Sequence, residues 1–243
     1  MKVMDASELY DPEFRELIKS KKPTVIIPVG SLEQHGAHLP ITTDSDIVTE
    51  IASRLAKKCD FIVFPTINYG ISYEHSPLFN ASIDDIVLHD ILMNIIISLK
   101  PYSRNLSLII LNGHHGNVDT IDMFNPSFGS SKHRGFVLSY SYWKYMEHEF
   151  DHAGFVETSL MLAISDKVKM KKAKKGFTTE GMSEKEIQRI NKLSTERGGF
   201  PKVAKNGVWG DPTKATKKDG EKFLAEIVRN LAKECQLGLT EYS

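Results

Sequence analysis

Four short stretches of the chain are apolar without polar alternation: residues 24–29, 61–64, 108–111 and 136–138. Uninterrupted runs of this length suit strands buried on both faces, so they predict a parallel sheet. The period changes between them. Ile47, Ile51 and Leu55 follow the first run at helical spacing, and Ile86, Ile91 and Ile95 precede the third. Strand alternating with helix is the pattern of an α/β fold. Two further helices are predicted over 183–193 and 216–235, the second with Phe223, Ile227 and Leu231 four apart, and both are expected to cover the sheet. The glycine-rich stretches between them, Arg197-Gly-Gly-Phe-Pro and Asn206-Gly-Val-Trp-Gly-Asp-Pro, read as irregular loop. No linker or repeat divides the 243 residues, which suit one large core and a single domain over 1–243.

In open parallel sheets, ligands bind where the chain leaves the carboxyl ends of the strands. Three of the predicted strands are followed there by polar clusters. Glu33, His35, His38 and Asp44 follow the first; Asn68, Tyr69, Glu74 and His75 the second; Asn112, His114, His115 and Asn117 the third. Glu33 and His35 are two apart, so both emerge on one side if the chain stays extended. Further on, Asp151-His152-Ala153-Gly154 precedes Glu157, which opens an apolar helical stretch at 160–164. A set of His, Asp and Glu without cysteine suits zinc, manganese or iron(II). Carboxylates can also bridge two ions lying about 3.5 to 4 Å apart, and Asp44 is the natural candidate, although taken alone it reads better as a helix N-cap.

Several of these residues have a plainer reading. Asp44 or Asp46 would make a good N-cap for the following helix. Glu157 is equally a first-turn carboxylate set against a helix dipole, and spacing does not separate the two roles. His38 is as easily a loop histidine bonded to backbone, and is placed as a neighbour of the site. His75, His89, His133 and His148 stand alone, which favours surface or partly buried structural roles. Asn112-Gly113 has the composition of a turn, but two histidines and Gly-Asn after a buried strand argue for a site. An acidic residue beside a histidine can orient the ring and raise its pKa, so Asp151 is expected to hold His152 as a general acid or base.

Composition narrows the partner. Lys plus Arg and Asp plus Glu both total 31, so no net field recruits nucleic acid or an anionic membrane surface, and a small molecule is the expected partner. Six lysines fall within 167–175, but no aromatic residue interleaves with them as a stacking platform requires. The two cysteines, Cys59 and Cys235, are too few for a disulfide framework or a thiolate zinc site. The most apolar stretch, 91–99, is too short to span a bilayer, and Asp5 and Glu8 stand where a secretory signal would carry basic and apolar residues. The expected setting is the cytoplasm.

These residues resemble the creatininase family, the creatinine amidohydrolase-like proteins. The resemblance rests on four blocks in order: Gly30-Ser-x-Glu-Gln-His-Gly-x-His-Leu-Pro40 with Thr43-Asp44, Asn112-Gly-His114, His152-Ala-Gly-x-x-Glu-Thr-Ser159, and Gly207-Val-x-Gly-Asp-Pro212. It implies a three-layer α/β/α sandwich, a homo-oligomer (hexamer or dimer), and hydrolysis of carbon-nitrogen amide bonds with two divalent ions. By resemblance Glu33 and His114 hold one ion, His35 the other, Asp44 bridges, and His152 shuttles protons. Asn112, His115 and Asn117 join His38 around the site. The chain departs from creatininase proper at Gly116, where that enzyme carries a glutamate ligand; either Glu157 supplies that ligand here, which is the preferred expectation, or the second site is weaker. Members without the glutamate resemble the archaeal formylaminopyrimidine-ribonucleotide deformylases and the mycofactocin-pathway peptidases. A formamide or another small amide is therefore expected before creatinine, with lysines or arginines free to hold a phosphate. Two rivals stay open. One is a serine hydrolase built on Ser31 or Ser159, though neither sits in a Gly-x-Ser-x-Gly elbow. The other is a metal-binding protein of the same fold without catalysis.

Overall fold

The computed structural model describes residues 4–124 and 137–241. Phe136, which begins the fourth predicted strand, and His133 lie outside them. Five strands, β1 (Met4–Asp5), β2 (Thr24–Val29), β3 (Ile62–Val63), β4 (Ser107–Asn112) and β5 (Val137–Ser141), form one parallel sheet in the order β1-β3-β2-β4-β5. Strand order reverses between β2 and β4. There, at the switch point of the sheet, diverging connections open a crevice. Val29 pairs with Asn112 and Asn112 with Ser141, so the exits of all three strands are level.

Alternation along the strands sorts the core into two. Val25, Ile27 and Val29 of β2, with Leu108 and Ile110 of β4, face Ile18 of α1 (Asp11–Lys21), Leu88 and Leu92 of α3 (Asp85–Leu99) and Ile121 of α4 (Val118–Asp122). Ile26, Ile109 and Leu111 face the other way, onto α2 (Thr43–Cys59), α5 (Phe155–Ile164) and α8 (Lys217–Glu241). The fold is therefore the expected three-layer α/β/α sandwich. Helices on both faces explain the unbroken apolar runs of β2 and β4.

The predicted elements are found with shifted edges. The strand expected over 61–64 contracts to β3, and the helix expected over 216–235 runs on through α8. The helix expected over 183–193 is α6 (Glu184–Thr195), begun by a capping box in which Ser183 and Glu186 exchange hydrogen bonds. In α3 the Ile86-Ile91-Ile95 spacing does not mark the core face: Ile86 is 67% and Ile91 37% exposed, while Leu88 and Leu92 are fully buried. That helix is apolar on several sides, so periodicity alone could not choose between them. The second glycine-rich loop is less irregular than expected, since Trp209 bridges to both His152 and Phe177.

Candidate metal centre

Two asparagines draw the strand exits together. Asn117 accepts the Ile71 N–H (2.9 Å) and donates to the Gly30 carbonyl (3.0 Å), joining the loops after β2, β3 and β4. Asn112 accepts the His114 N–H (3.0 Å) and donates to Ser141 Oγ (3.2 Å). Both serve the backbone and fix where His114 stands.

Glu33, His35, Asp44, His114 and Glu157 converge at the switch point, none more than 4% exposed. Asp44 lies between two imidazoles: Oδ1 is 3.1 Å from His35 Nε2, and Oδ2 is 3.0 Å from His114 Nδ1. His35 Nε2 is also 3.5 Å from Glu157 Oε2, and His114 Nε2 is 3.3 Å from Glu33 Oε2. The capping alternative for Asp44 is thereby displaced. Thr42 occupies the N-cap position of α2, and Asp44 is the second residue of the helix with its carboxylate turned to the histidines.

Burying this many charged groups is costly unless they pair or hold a cation. Two features favour a cation. Glu33 Oε1 and Asp44 Oδ2 are buried without a hydrogen-bond donor, although His75 Nε2 and His114 Nδ1 each stand 3.0 Å away, off the axis a hydrogen bond requires. The outer nitrogens are also anchored on carbonyls: His114 Nε2 donates to Ile71 O (2.7 Å) and His35 Nδ1 to Glu33 O (3.2 Å). Tying one ring nitrogen to a carbonyl and aiming the other inward is the habit of metal-binding histidines. Four overlapping trios, Glu33-His35-Asp44, His35-His152-Glu157, Glu33-Glu74-His114 and Glu33-His75-His152, have donor atoms all within 4.8 Å of one another. The donor set therefore fits divalent ions.

Without an ion the cluster is held by protons. Burial pulls the His35 imidazole down, but Asp44, Glu157 and Glu33 more than reverse this and raise it to about 10. Burial likewise opposes charge on His114, and Glu33 and Asp44 hold it well above its ordinary value. Burial raises the Glu157 carboxyl against the pull of His35. Since the folded His35 value lies above the unfolded one, its stabilisation is complete below pH 6.5 and lost as pH rises toward about 10. Metal binding needs deprotonated ligands and strengthens over the same range. Thermal melts from pH 6 to 10 are expected to show metal-free protein weakening while metal-loaded protein holds. Parallel pH dependence of the two forms would contradict this.

His152 departs from expectation. Asp151 does not orient it: Asp151 Oδ2 accepts the Val156 N–H (2.9 Å) and Oδ1 the Glu157 N–H (3.3 Å), capping the first turn of α5. The partner of His152 is Gln34. Nε2 of the ring lies 3.1 Å from both the side-chain nitrogen and the main-chain oxygen of Gln34, leaving Nδ1 3.8 Å from Glu33 Oε1. Its pKa is not raised either. Burial, then the neighbouring His35 and His75, hold it well below the ordinary value. Gln34 is itself clamped, its Oε1 accepting the Gly36 N–H (3.0 Å).

His75 is not the isolated histidine that its spacing suggests. It is buried, Gln34 reaches its Nδ1 (3.0 Å), and its ring lies 4.8 Å from that of His152 with the planes tilted by 34°. Glu74 stands beside it, 3.8 Å from His114 Nε2. The signal was present in the sequence, as an adjacent Glu-His pair after a buried strand. His38 stays a neighbour, its Nε2 on Thr158 Oγ1 (2.9 Å). His89 and His148 lie away from the cluster, half-buried and exposed.

Gly116 has a steric cause. A Cβ there would stand 2.0 Å from the Ile71 carbonyl and 2.6 Å from His114 Nε2. Gly116→Ala is expected to destabilise by about 1–3 kcal/mol, because the crowding atom is backbone and cannot swing aside; a melt unchanged from wild type would contradict it. The carboxylate that approaches His35 comes instead from α5. Ala153, at φ +52°, turns its N–H onto Glu157 Oε2 (2.6 Å) and fixes that side chain.

The cluster floors a cavity of about 410 Å³ whose walls include His115, Trp143, Phe150, Phe200 and Trp209. Among the described residues no lysine or arginine lines it, so the expected phosphate-holding cation is not found in its wall.

Comparison with known proteins gives the family and the fold. The family model described as creatininase, creatinine amidohydrolase, matches residues 7–235. The mycofactocin precursor peptide peptidase of Mycobacterium ulcerans is 31% identical over 228 residues, 87% of this chain and 84% of that protein. The 2-amino-5-formylamino-6-ribosylaminopyrimidin-4(3H)-one 5'-monophosphate deformylase of Methanobrevibacter ruminantium is 32% identical over 158 residues, 59% and 62% of the two chains. A solved structure described as "Creatininase Mn" superposes with a TM-score of 0.78 at 23% identity, over 98% of this chain and 99% of that one, and shares the fold.

Proposed function

The chain belongs to the creatininase family of metal-dependent amidohydrolases, and from that premise we propose that it hydrolyses a formamide or another small amide with two divalent ions. Glu33, His114 and Asp44 would hold one, and His35, Glu157 and Asp44 the other. The observation that carries this is the placement of Asp44, one carboxylate oxygen toward each histidine, with the outer nitrogens of both rings anchored on carbonyls. Zinc, manganese or iron(II) suits such donors. What bound divalent ions supply is a water acidified to about neutral pKa and a polarised substrate carbonyl.

The chain's own residues do the rest. Asp44 keeps the two halves of the site together, and burial keeps bulk water from competing with substrate. His152 is held neutral, so its free Nδ1 takes the proton released by the attacking water and returns it to the leaving amine. Gln34 keeps that ring turned inward. Asp151 acts at one remove, by capping α5 and so placing Glu157. Creatinine is the weaker substrate reading because the glutamate of creatininase proper has no room at Gly116.

Self-association belongs to the same reading. It is supported by the outer face of α3, where Ile86 and Ile97 are exposed among apolar neighbours, a surface a second copy would bury. A cytoplasmic setting is supported by Cys59 and Cys235 standing as free thiols.

The test is elemental analysis of gently purified protein, then hydrolysis of formamides, creatinine and small peptides before and after chelation. Loss of cleavage on chelation, with recovery on adding a divalent ion, is expected. Cleavage indifferent to chelation would point to a serine hydrolase, and no cleavage by the loaded protein to a binding role.

A further inference from the structure

The carboxylates and rings around the cavity divide by what they already do. Asp44 and Glu157 face histidines in the centre, and Asp151 is engaged by the N-terminus of α5. Glu74 likewise stands by His75 (3.7 Å) and His114 (3.8 Å), which leaves Glu149, an exposed residue of the wall. No described lysine or arginine balances it there. Arg197, the basic residue after α6, is held over the Tyr73 ring, 4.8 Å from its centroid.

Beside Glu149 stands a layered aromatic surface. The rings of Trp143 and Phe150 stack at 4.8 Å with planes 25° apart, and His115 lies nearly parallel to Phe150, 13° off at 6.4 Å. Three roughly parallel rings offer a face or slot to a flat group. An aromatic surface beside an unbalanced carboxylate is also the setting that attracts an ammonium group.

Resting on the amide-hydrolase reading above, we propose that the cavity takes a planar amide carrying an ammonium group and excludes anionic amides, phosphate esters among them. This separates the chain from its deformylase relative, whose named substrate is a 5'-monophosphate. Beyond the ions that the centre would hold, a phosphate would meet the carboxylate of Glu149 with no described lysine or arginine in the wall to receive it. Glu149 is the specificity-determining residue at the entrance, and the Trp143–Phe150 layer receives the ring.

The test is a matched series: para-aminomethyl formanilide, formanilide and para-sulfonate formanilide. All three share the ring and the scissile formamide and differ in charge, and a sulfonate coordinates metal ions weakly, so it reports the wall. The two tryptophans of the chain, Trp143 and Trp209, both line the cavity, so intrinsic fluorescence follows binding to the holoenzyme independently of turnover. The ammonium compound is expected to bind about tenfold or more tighter than the sulfonate. The difference should lie in Kd and KM with kcat little changed. Glu149→Lys, at an exposed position, should narrow or reverse the order. Equal or tighter binding of the sulfonate, no binding of the ammonium compound, or a ratio unmoved in Glu149→Lys each overturns the proposal. Charge-ordered binding without hydrolysis of any member would instead remove the amide-hydrolase reading and leave the charge selection standing.

Discussion

Asp44→Ala is expected to empty the centre and abolish hydrolysis. The carboxylate is 2% exposed and lies within about 3 Å of an inward nitrogen on both His35 and His114. Removing one member of a buried charged cluster costs about 3–5 kcal/mol of folding stability in the metal-free protein, and it takes from both ion positions the ligand they share. Turnover should fall with occupancy, because both halves of the site lose the same ligand. Elemental analysis after dialysis measures the first effect and formamide hydrolysis the second. Asp46→Ala is the matched control. Asp46 lies on the same helical turn but accepts from Thr42 Oγ1 and does not line the cavity, so its removal should leave metal content and rate near wild type. Retention of both ions by Asp44→Ala would remove Asp44 as the bridge.

The second large effect is on rate alone. His152→Ala should lower kcat by about 10²- to 10⁴-fold, the contribution typical of a positioned proton-transfer group, with metal content unchanged. Metal loss in that variant would mean that His152 is a ligand, since its ring nitrogen does lie within reach of the His35-Glu157 and Glu33-His75 donors. The pH profile adds a sign. Burial and the neighbouring His35 and His75 favour the neutral ring, so the form that accepts a proton is already populated at pH 7. The acid limb of the wild-type profile should then fall below pH 6.5, the ordinary histidine value, and should disappear in His152→Ala. Asp151→Ala is expected to act differently, by lost capping of α5, at about 0.5–2 kcal/mol of stability. A selective collapse of kcat without destabilisation would restore Asp151 as the orienting partner.

Much of the fold was legible in residue order. Strands buried on both faces need unbroken apolar runs, and β2 and β4 announce themselves in that way. The three clusters after the first three runs marked the ligand edge, because parallel strands deliver their carboxyl ends to one side. The errors share a cause. His75 is solitary along the chain but has Glu33, Gln34 and His152 around it in space, contacts with sequence separations of 41 for Gln34 and more for His152 that no local pattern encodes. Asp151 is adjacent to His152 in sequence, yet its carboxylate turns to the amides of Val156 and Glu157, which the start of α5 leaves without helical partners.

Residue order alone therefore established the class of fold, the edge on which chemistry would gather, and a donor set of carboxylates and imidazoles suited to divalent ions. These follow from local physics: the burial demanded by apolar runs, the two-residue period of strands, and the ligand preferences of hard and borderline cations. Tertiary structure decided which of those groups face one another. It turned Asp44 from a possible helix cap toward two histidines, gave His152 to Gln34 instead of Asp151, brought His75 in from isolation, and closed position 116 to any side chain. Those outcomes depend on distances between strand exits and on which backbone carbonyl stands in the way, quantities that appear only once the sheet has been assembled and its two faces covered.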